Sequence, residues 1–317
     1  MLSRVSDSLY WMSRYLERAE HNARLIGVNL DLSLELATAF QSDRWARPLA
    51  AMNASLTPDE AAELDTMLAV LLYDASRPLS VRACVNAARE NARQVREQVS
   101  TEMWQDLNRL YLRLRGASKL NPDEHGNFCR DVIEGAHLFQ GLTDATLNHG
   151  EGWQFIQIGR YLERAMATSR LLDVYFASYM ADGAALGAVE YIEQVGLLKS
   201  CTAFEAYCKV YTADFQPRHI AEFLLLNEEF PRSVRFAVDS VQAALEAIAR
   251  DVGARKTGRA ERLAGRLRAT LDFGHVDEIM ADSLHDYLGD VMQQCERIHA
   301  AMYETYIAYT VDSALAS

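Results

Sequence analysis

Apolar residues at Leu9, Met12, Leu16, Ala19, Ala23, Ile26 and Leu30 recur at intervals of three and four, which places them on one face of a helix over residues 5–36. Residues 41–55 lose that rhythm and read as a connection. Thr57-Pro58-Asp59-Glu60 then supplies a cap, a first-turn proline and a glutamate three residues after the cap, which predicts a short helix ending near Tyr73. Pro78 is expected to start the next helix, reaching about Val99. Ser100 or Thr101 caps another through Met103, Leu107, Leu110 and Leu114 to Gly116. Asn121-Pro122-Asp123-Glu124 repeats the cap, proline and glutamate pattern before a helix to about Leu147, and Gly150-Glu151-Gly152 reads as a joint. The same order then recurs. A long helix is predicted over residues 153–180, a turn through Gly183 and Gly187, and a helix over 189–211. A short helix follows Gln216-Pro217 and another follows Phe230-Pro231; the last two cover 257–272 and 276 to beyond Tyr306. No stretch alternates β-branched with polar residues, so the expected fold is all-α.

The recurrence extends to the residues themselves. Arg14-Tyr15-Leu16-Glu17-Arg18-Ala19 returns as Arg160-Tyr161-Leu162-Glu163-Arg164-Ala165, and both copies continue to an Arg-Leu pair, Arg24-Leu25 and Arg170-Leu171. Downstream, Pro78-Leu79-Ser80-Val81-Arg82 matches Pro231-Arg232-Ser233-Val234-Arg235. Arg109-Leu110 with Arg113-Leu114-Arg115 matches Arg262-Leu263 with Arg266-Leu267-Arg268. These two downstream pairs share one offset and the hexamer a slightly shorter one. An internally duplicated helical bundle follows as the expectation, with residues 1–150 and 151–317 as similar halves packed together and a short insertion in the second.

Composition narrows the function classes. Half of the 317 residues are hydrophobic, about a quarter are charged and only six are proline, which suits a helical globular chain. A net charge of −12 argues against nucleic acid or an anionic membrane as the main partner. The five cysteines, Cys84, Cys129, Cys201, Cys208 and Cys295, are odd in number and irregular in spacing, so neither a disulfide framework nor a zinc motif is expected. Cys201 and Cys208 read as packing residues on one helix. The first residues lack a signal-peptide core and no apolar run is long enough to span a bilayer, so a cytoplasmic protein is expected.

On a helix, Arg14, Glu17, Arg18 and His21 cluster on one side, with Arg24 at its edge, opposite Leu16, Ala19, Ala23 and Ile26. A solvated face laced by ion pairs would explain one such stripe. In the second copy, however, Arg160, Glu163 and Arg164 share their face with Ile156, Met166 and Ala167, and Arg170 follows. Charges on a partly apolar stripe point to a buried network. A clasp between the halves is the preferred reading and a catalytic or ligand site its alternative. Glu20 and His21 are expected to leave the first copy better solvated than the second.

The segments SLYWMSRYLERAEHNARL, ARENARQVREQVSTEMWQDLN, GWQFIQIGRYLERA and FLLLNEEFPRSVRF together resemble the bacterial alpha-E family, along essentially the whole chain. Glu17-Arg18 and Glu163-Arg164 match the Glu-Arg motif for which that family is named. Members are typically encoded beside, or fused to, a circularly permuted ATP-grasp protein, often with a transglutaminase-like protease. The resemblance therefore implies an ATP-grasp-type ligase as partner and a role in forming a peptide or amide bond, with a peptide as a further candidate partner.

Two other constellations bear on chemistry. Glu134 with His137, and Glu296 with His299, are Glu-x-x-His pairs that with Glu17 and Glu163 would make up the inventory of a di-metal carboxylate bundle. Asn91, Arg93, Glu102, Trp104 and Asn108 combine charge, amide and indole near a helix junction, as a carboxylate or peptide pocket would. Capping and packing, with Trp104 in the core, account for them as well. No Walker-type loop, nucleophile elbow or dinucleotide fingerprint is present, and no cofactor is expected. Two functions follow: an accessory helical protein of an ATP-grasp-linked system, or an enzyme in its own right, either a carboxylate-bridged metalloprotein or an amide-forming catalyst.

Overall fold

In the computed structural model, residues 3–35, 42–116, 124–182, 188–251, 253 and 258–308 are described. They form α1 (Ser3–Glu35), α2 (Ser42–Ala51), α3 (Pro58–Ala61), α4 (Leu64–Leu68), α5 (Val81–Gln94), α6 (Thr101–Gly116), α7 (His125–Thr146) and α8 (Glu151–Asp182). After these come α9 (Ala188–Ser200), α10 (Phe204–Tyr211), α11 (Pro217–Leu226), α12 (Val234–Asp251), α13 (Arg259–Asp272), α14 (Val276–Asp282) and α15 (Leu284–Met302). Single π-helical turns, Ala69–Tyr73 and Tyr303–Ile307, extend α4 and α15. Among the described residues there is no strand, and no helix is long and apolar enough to cross a membrane.

The two longest helices, α1 with 33 residues and α8 with 32, pack against each other at the centre. Around α1, the order α1–α5–α6–α7 closes a ring of packed helices; around α8, the order α8–α12–α13–α15 closes another. Each long helix therefore faces its own ring on one side and the other long helix on the next. That is why α1 is buried on both sides, through Leu16, Ala19, Ala23 and Ile26 and equally through Arg14, Glu17, Glu20 and His21. Gly159 lets the helices meet: a Cβ there would run into Ser13 Oγ and the backbone carbonyl of Tyr10. Ser13 and Gly159 are the residues that precede the first arginine of each hexamer.

Equivalent turns lead into α5 and α12. Ser80 Oγ donates to the Asp74 carbonyl and accepts from Ala83 N, and Ser233 Oγ donates to the Asn227 carbonyl and accepts from Phe236 N. Asn22 on α1 donates to the Leu79 carbonyl at 3.1 Å, and Thr168 on α8 donates to the Arg232 carbonyl at the same distance. The prolines therefore shape the turns, while the serines cap the helices. Pro78 lies three residues ahead of α5, contrary to the expectation that it starts that helix.

Other departures have physical causes. Residues 41–55 contain α2, which keeps Pro48 in its interior because Trp45, Ala51 and Met52 are buried and Arg47 pairs with Glu193 of α9. The Thr57 capping box forms as read, yet the segment to Tyr73 breaks after Ala61 and ends in a π-turn. Helix α5 stops at Gln94, with a 3₁₀ turn at Arg96–Gln98. The helix expected over 189–211 divides into α9 and α10 where Thr202 takes a left-handed φ of 53°. The last helix divides at Ser283, whose side chain caps α15 by accepting from Asp286 N. The Asn121-Pro122-Asp123 cap, the turn through Gly183 and Gly187, and Thr257 lie outside the described residues.

Candidate functional site

The repeated hexamers interlock across the α1–α8 contact. Arg164 donates from Nε and Nη2 to the two oxygens of Glu17 at 2.6 and 2.9 Å. Arg18 donates from the same two atoms to the two oxygens of Glu163, also at 2.6 and 2.9 Å. Each glutamate is thus held by a planar two-bond fork from the other helix. Arg14 adds a second grip on Glu163, 2.8 Å from Nε to Oε2, and donates from Nη1 to the Tyr10 hydroxyl at 3.0 Å. That hydroxyl in turn hydrogen-bonds His299 Nδ1 at 2.7 Å. Gln140 Nε2 donates to Glu17 at 3.1 Å, and Arg164 Nη1 donates to the Pro231 carbonyl at 3.0 Å.

A second arm grows from Glu20, which no solvent reaches. Arg232, in the turn before α12, donates to it at 2.6 Å and lies 3.7 Å from Glu17. Arg24, one turn on along α1, pairs with Glu20 and comes within 3.2 Å of His137 Nε2. Glu20, Arg232, Gln140 and Tyr10 belong to the network yet were not among the predicted site residues. Leu79 stands in the first Pro-x-Ser turn where Arg232 stands in the second, and that departure from the repeat was the signal to follow. The expectation that Glu20 and His21 leave the first copy better solvated is overturned: Glu17 and Glu20 are 2% and 0% exposed, against 7% for Glu163. The Arg232 guanidinium fills the space that water would have occupied.

Burial opposes ionisation of these carboxyls, and the facing guanidiniums prevail. Glu163 is held at about 2 by Arg14 and Arg18, Glu17 below its ordinary value by Arg164 and Arg232, and Glu20 well below by Arg232, His137 and Arg24. Burial likewise disfavours the charge on Arg14 and Arg232, and Glu163 and Glu20 reverse that, holding both above the usual arginine range. At His21 burial prevails instead: it pushes the ring down to about 4 against the pull of Glu20, Glu17 and Glu163, and its Nε2 is buried without a hydrogen-bond partner.

Other predicted residues stand apart. Arg160 does not copy Arg14. It donates weakly to Gln157 at 3.4 Å and reaches Asp144 only at 4.0 Å, and burial with the nearby Arg164 lowers its proton affinity. Arg170 makes no hydrogen bond or ion pair among the described residues and lines a cavity beside the clasp. The di-metal inventory does not assemble: Glu134 and Glu296 are exposed, Glu17 and Glu163 are taken by arginines, and His137 and His299 bond to Arg24 and Tyr10. Among the described residues, no three His, Cys, Asp or Glu side chains converge as metal ligands. The second candidate pocket also disperses. Asn91 caps back onto the Ala87 carbonyl, Arg93 pairs with Glu90 in solvent and Glu102 is exposed. Asn108 accepts from Arg89 at 2.9 Å; it and Trp104 line a shallow groove on α6. Trp104 is half-buried, not in the core, because Arg89 and Arg96 stack over its ring.

Residues 1–307 match the family model of Alpha-E, described as "a predicted alpha-helical domain with a conserved ER motif". The chain belongs to that family. It is 23% identical over 326 residues to uncharacterized protein Rv2567 of Mycobacterium tuberculosis (strain ATCC 25618 / H37Rv) and, equally, to uncharacterized protein Mb2597 of Mycobacterium bovis (strain ATCC BAA-935 / AF2122/97). Each match covers 94% of this chain but 35% of the relative, so the chain spans about a third of the length of these curated relatives. No solved structure matches it.

Proposed function

We propose that this Alpha-E family member is a non-catalytic helical module that works in the cytoplasm with an ATP-grasp-type ligase in making or modifying a peptide. The observation that carries the reading is the engagement of both motif glutamates by guanidinium forks of the opposite helix. A general acid or base needs a pKa near the working pH and a free path to its substrate. Glu163, at about 2 and held by three donor bonds from Arg14 and Arg18, lacks the first. The geometry therefore favours a clasp over a catalytic pair. The family resemblance supplies the ligase context, and most of each mycobacterial relative lies outside the matched stretch, as suits a module that operates beside other parts.

In the same reading the chain is an internal duplication, residues 1–150 and 151–317, joined by the clasp. The two rings of helices in the same order, the matching Ser80 and Ser233 turns and the reciprocal forks support it. Co-purification with an ATP-grasp-type ligase tests the function. The pair should isolate together, and ligase turnover should fall when the chain is omitted. Turnover of amino acids or peptides by the purified chain alone would overturn the proposal in favour of an enzyme.

A further inference from the structure

Beside the clasp, α1, α8 and the end of α2 enclose a cavity of about 160 Å³. Its charged lining is unbalanced. Arg14, Arg18 and Arg170 face it with Glu163 as the one carboxylate, and Glu163 is already divided between Arg14 and Arg18. Arg170 has no counter-ion among the described residues. His21, 6% exposed, also lines the cavity, and its Nε2 has no hydrogen-bond partner. A buried ring nitrogen left unpaired forfeits its hydration for no return, which a ligand atom at that place would restore. Met52 and Met166 supply an apolar wall, and the exposed Asn53 stands at the rim.

We propose that this cavity is a binding site for a small carboxylate on a short aliphatic stem, the chemistry of an amino acid or a peptide C-terminus. The carboxylate lies against Arg170, whose planar donor fork is free to match its two oxygens, beside the Arg18 Nη1 that the clasp leaves unused, and accepts from His21 Nε2–H; the stem rests on the two methionines. Inorganic phosphate would meet the same donors but leave the apolar wall unused. Because His21 stays neutral near pH 7, it serves as a hydrogen-bond donor and not as a counter-ion. The inference does not need the ligase partnership: a chain that fails to co-purify with a ligase would still hold the carboxylate, and the reverse.

Calorimetric titration of the full chain with N-acetylalanine, N-acetylalaninamide, free alanine and inorganic phosphate tests the site, with histidine ring nitrogen shifts followed in parallel and His21 assigned through His21→Gln. N-acetylalanine should bind saturably and shift the His21 Nε2 resonance, and its amide should not bind. Binding of free alanine as well would point to amino acids; its failure would point to blocked or peptide-borne carboxylates. Arg170→Gln, which breaks no bond in the protein, should weaken binding about tenfold or more at unchanged helicity. Arg113→Gln, at the distant α6 groove, should leave it unchanged. Failure of both carboxylates to bind, equal binding of the amide, binding of phosphate alone, or an unaltered Arg170→Gln titration would overturn the proposal.

Discussion

Arg164 grips Glu17 through Nε and Nη2 at 2.6 and 2.9 Å, the same atoms and distances through which Arg18 grips Glu163 in the opposite direction. The clasp is reciprocal at its forks and unequal around them. Glu163 has Arg14 as its second partner, whereas Glu17 has Gln140 and, farther off, Arg232.

Removing either carboxylate strands buried guanidiniums. Glu163→Ala leaves Arg14 and Arg18 without their carboxylate, and Glu17→Ala does the same to Arg164, so each should lower unfolding free energy by about 3–5 kcal/mol. Glu17→Ala should cost no less than Glu163→Ala, since Glu17 is the more buried of the two. Urea denaturation of both single variants, of Arg164→Ala and of Glu17→Ala/Arg164→Ala measures this. The double variant should be non-additive by more than about 0.5 kcal/mol, because Arg164→Ala also removes the stranded charge.

Acid should loosen the clasp within a defined window. Glu163 has a folded-state value of about 2, depressed from an ordinary 4.5. The unfolded chain therefore takes up the proton first as pH falls, so the stabilisation is complete above about 4.5 and is lost as pH drops toward 2. Glu17 and Glu20 shift in the same direction and add to the slope. Denaturation midpoints between these limits should flatten in Glu163→Gln, while the variant is less stable at neutral pH.

His21 contributes over a higher window. Its folded-state value, about 4 against an ordinary 6.5, means that the unfolded chain binds a proton that the native chain refuses. Stability should fall as pH drops from about 6.5 to about 4, before the carboxylate loss is complete. His21→Gln should remove this upper limb and leave the lower one. Ring nitrogen titration of the native protein should find His21 neutral at pH 6.

The close approach of α1 and α8 depends on one missing methyl group. Gly159→Ala would push a Cβ into Ser13 Oγ and the rigid Tyr10 carbonyl, so it should destabilise by about 1–3 kcal/mol or more. The clasp should loosen with it. Ser13→Gly/Gly159→Ala relieves only the hydroxyl clash and should recover part of the loss. Thermal melts of the three chains check the order.

Local rules made much of the chain legible. The period of Leu9 to Leu30, the Thr57 capping box and the Ser100 cap are decided within a turn or two of helix, so they can be read from neighbouring residues. The recurrence of Arg14 to Ala19 at Arg160 to Ala165 likewise marked the two helices that meet at the centre. Distances along a chain do not reveal which donor meets which acceptor. Glu20 and Arg232 stand 212 residues apart, and only the packing of the α12 turn onto α1 brings them to 2.6 Å. The same packing buries Glu17 and Glu20 on a face whose residue types suit water, and leaves His21 without a partner. Helix α2 around Pro48 and the break at Thr202 are tertiary decisions as well: propensities of a fraction of a kcal/mol per residue yield to a buried Trp45 or a left-handed turn held by the core. The sequence thus determined most of the helices and where charge recurs; burial, and with it the partners of the clasp residues across α1 and α8, was decided when the two rings closed on one another.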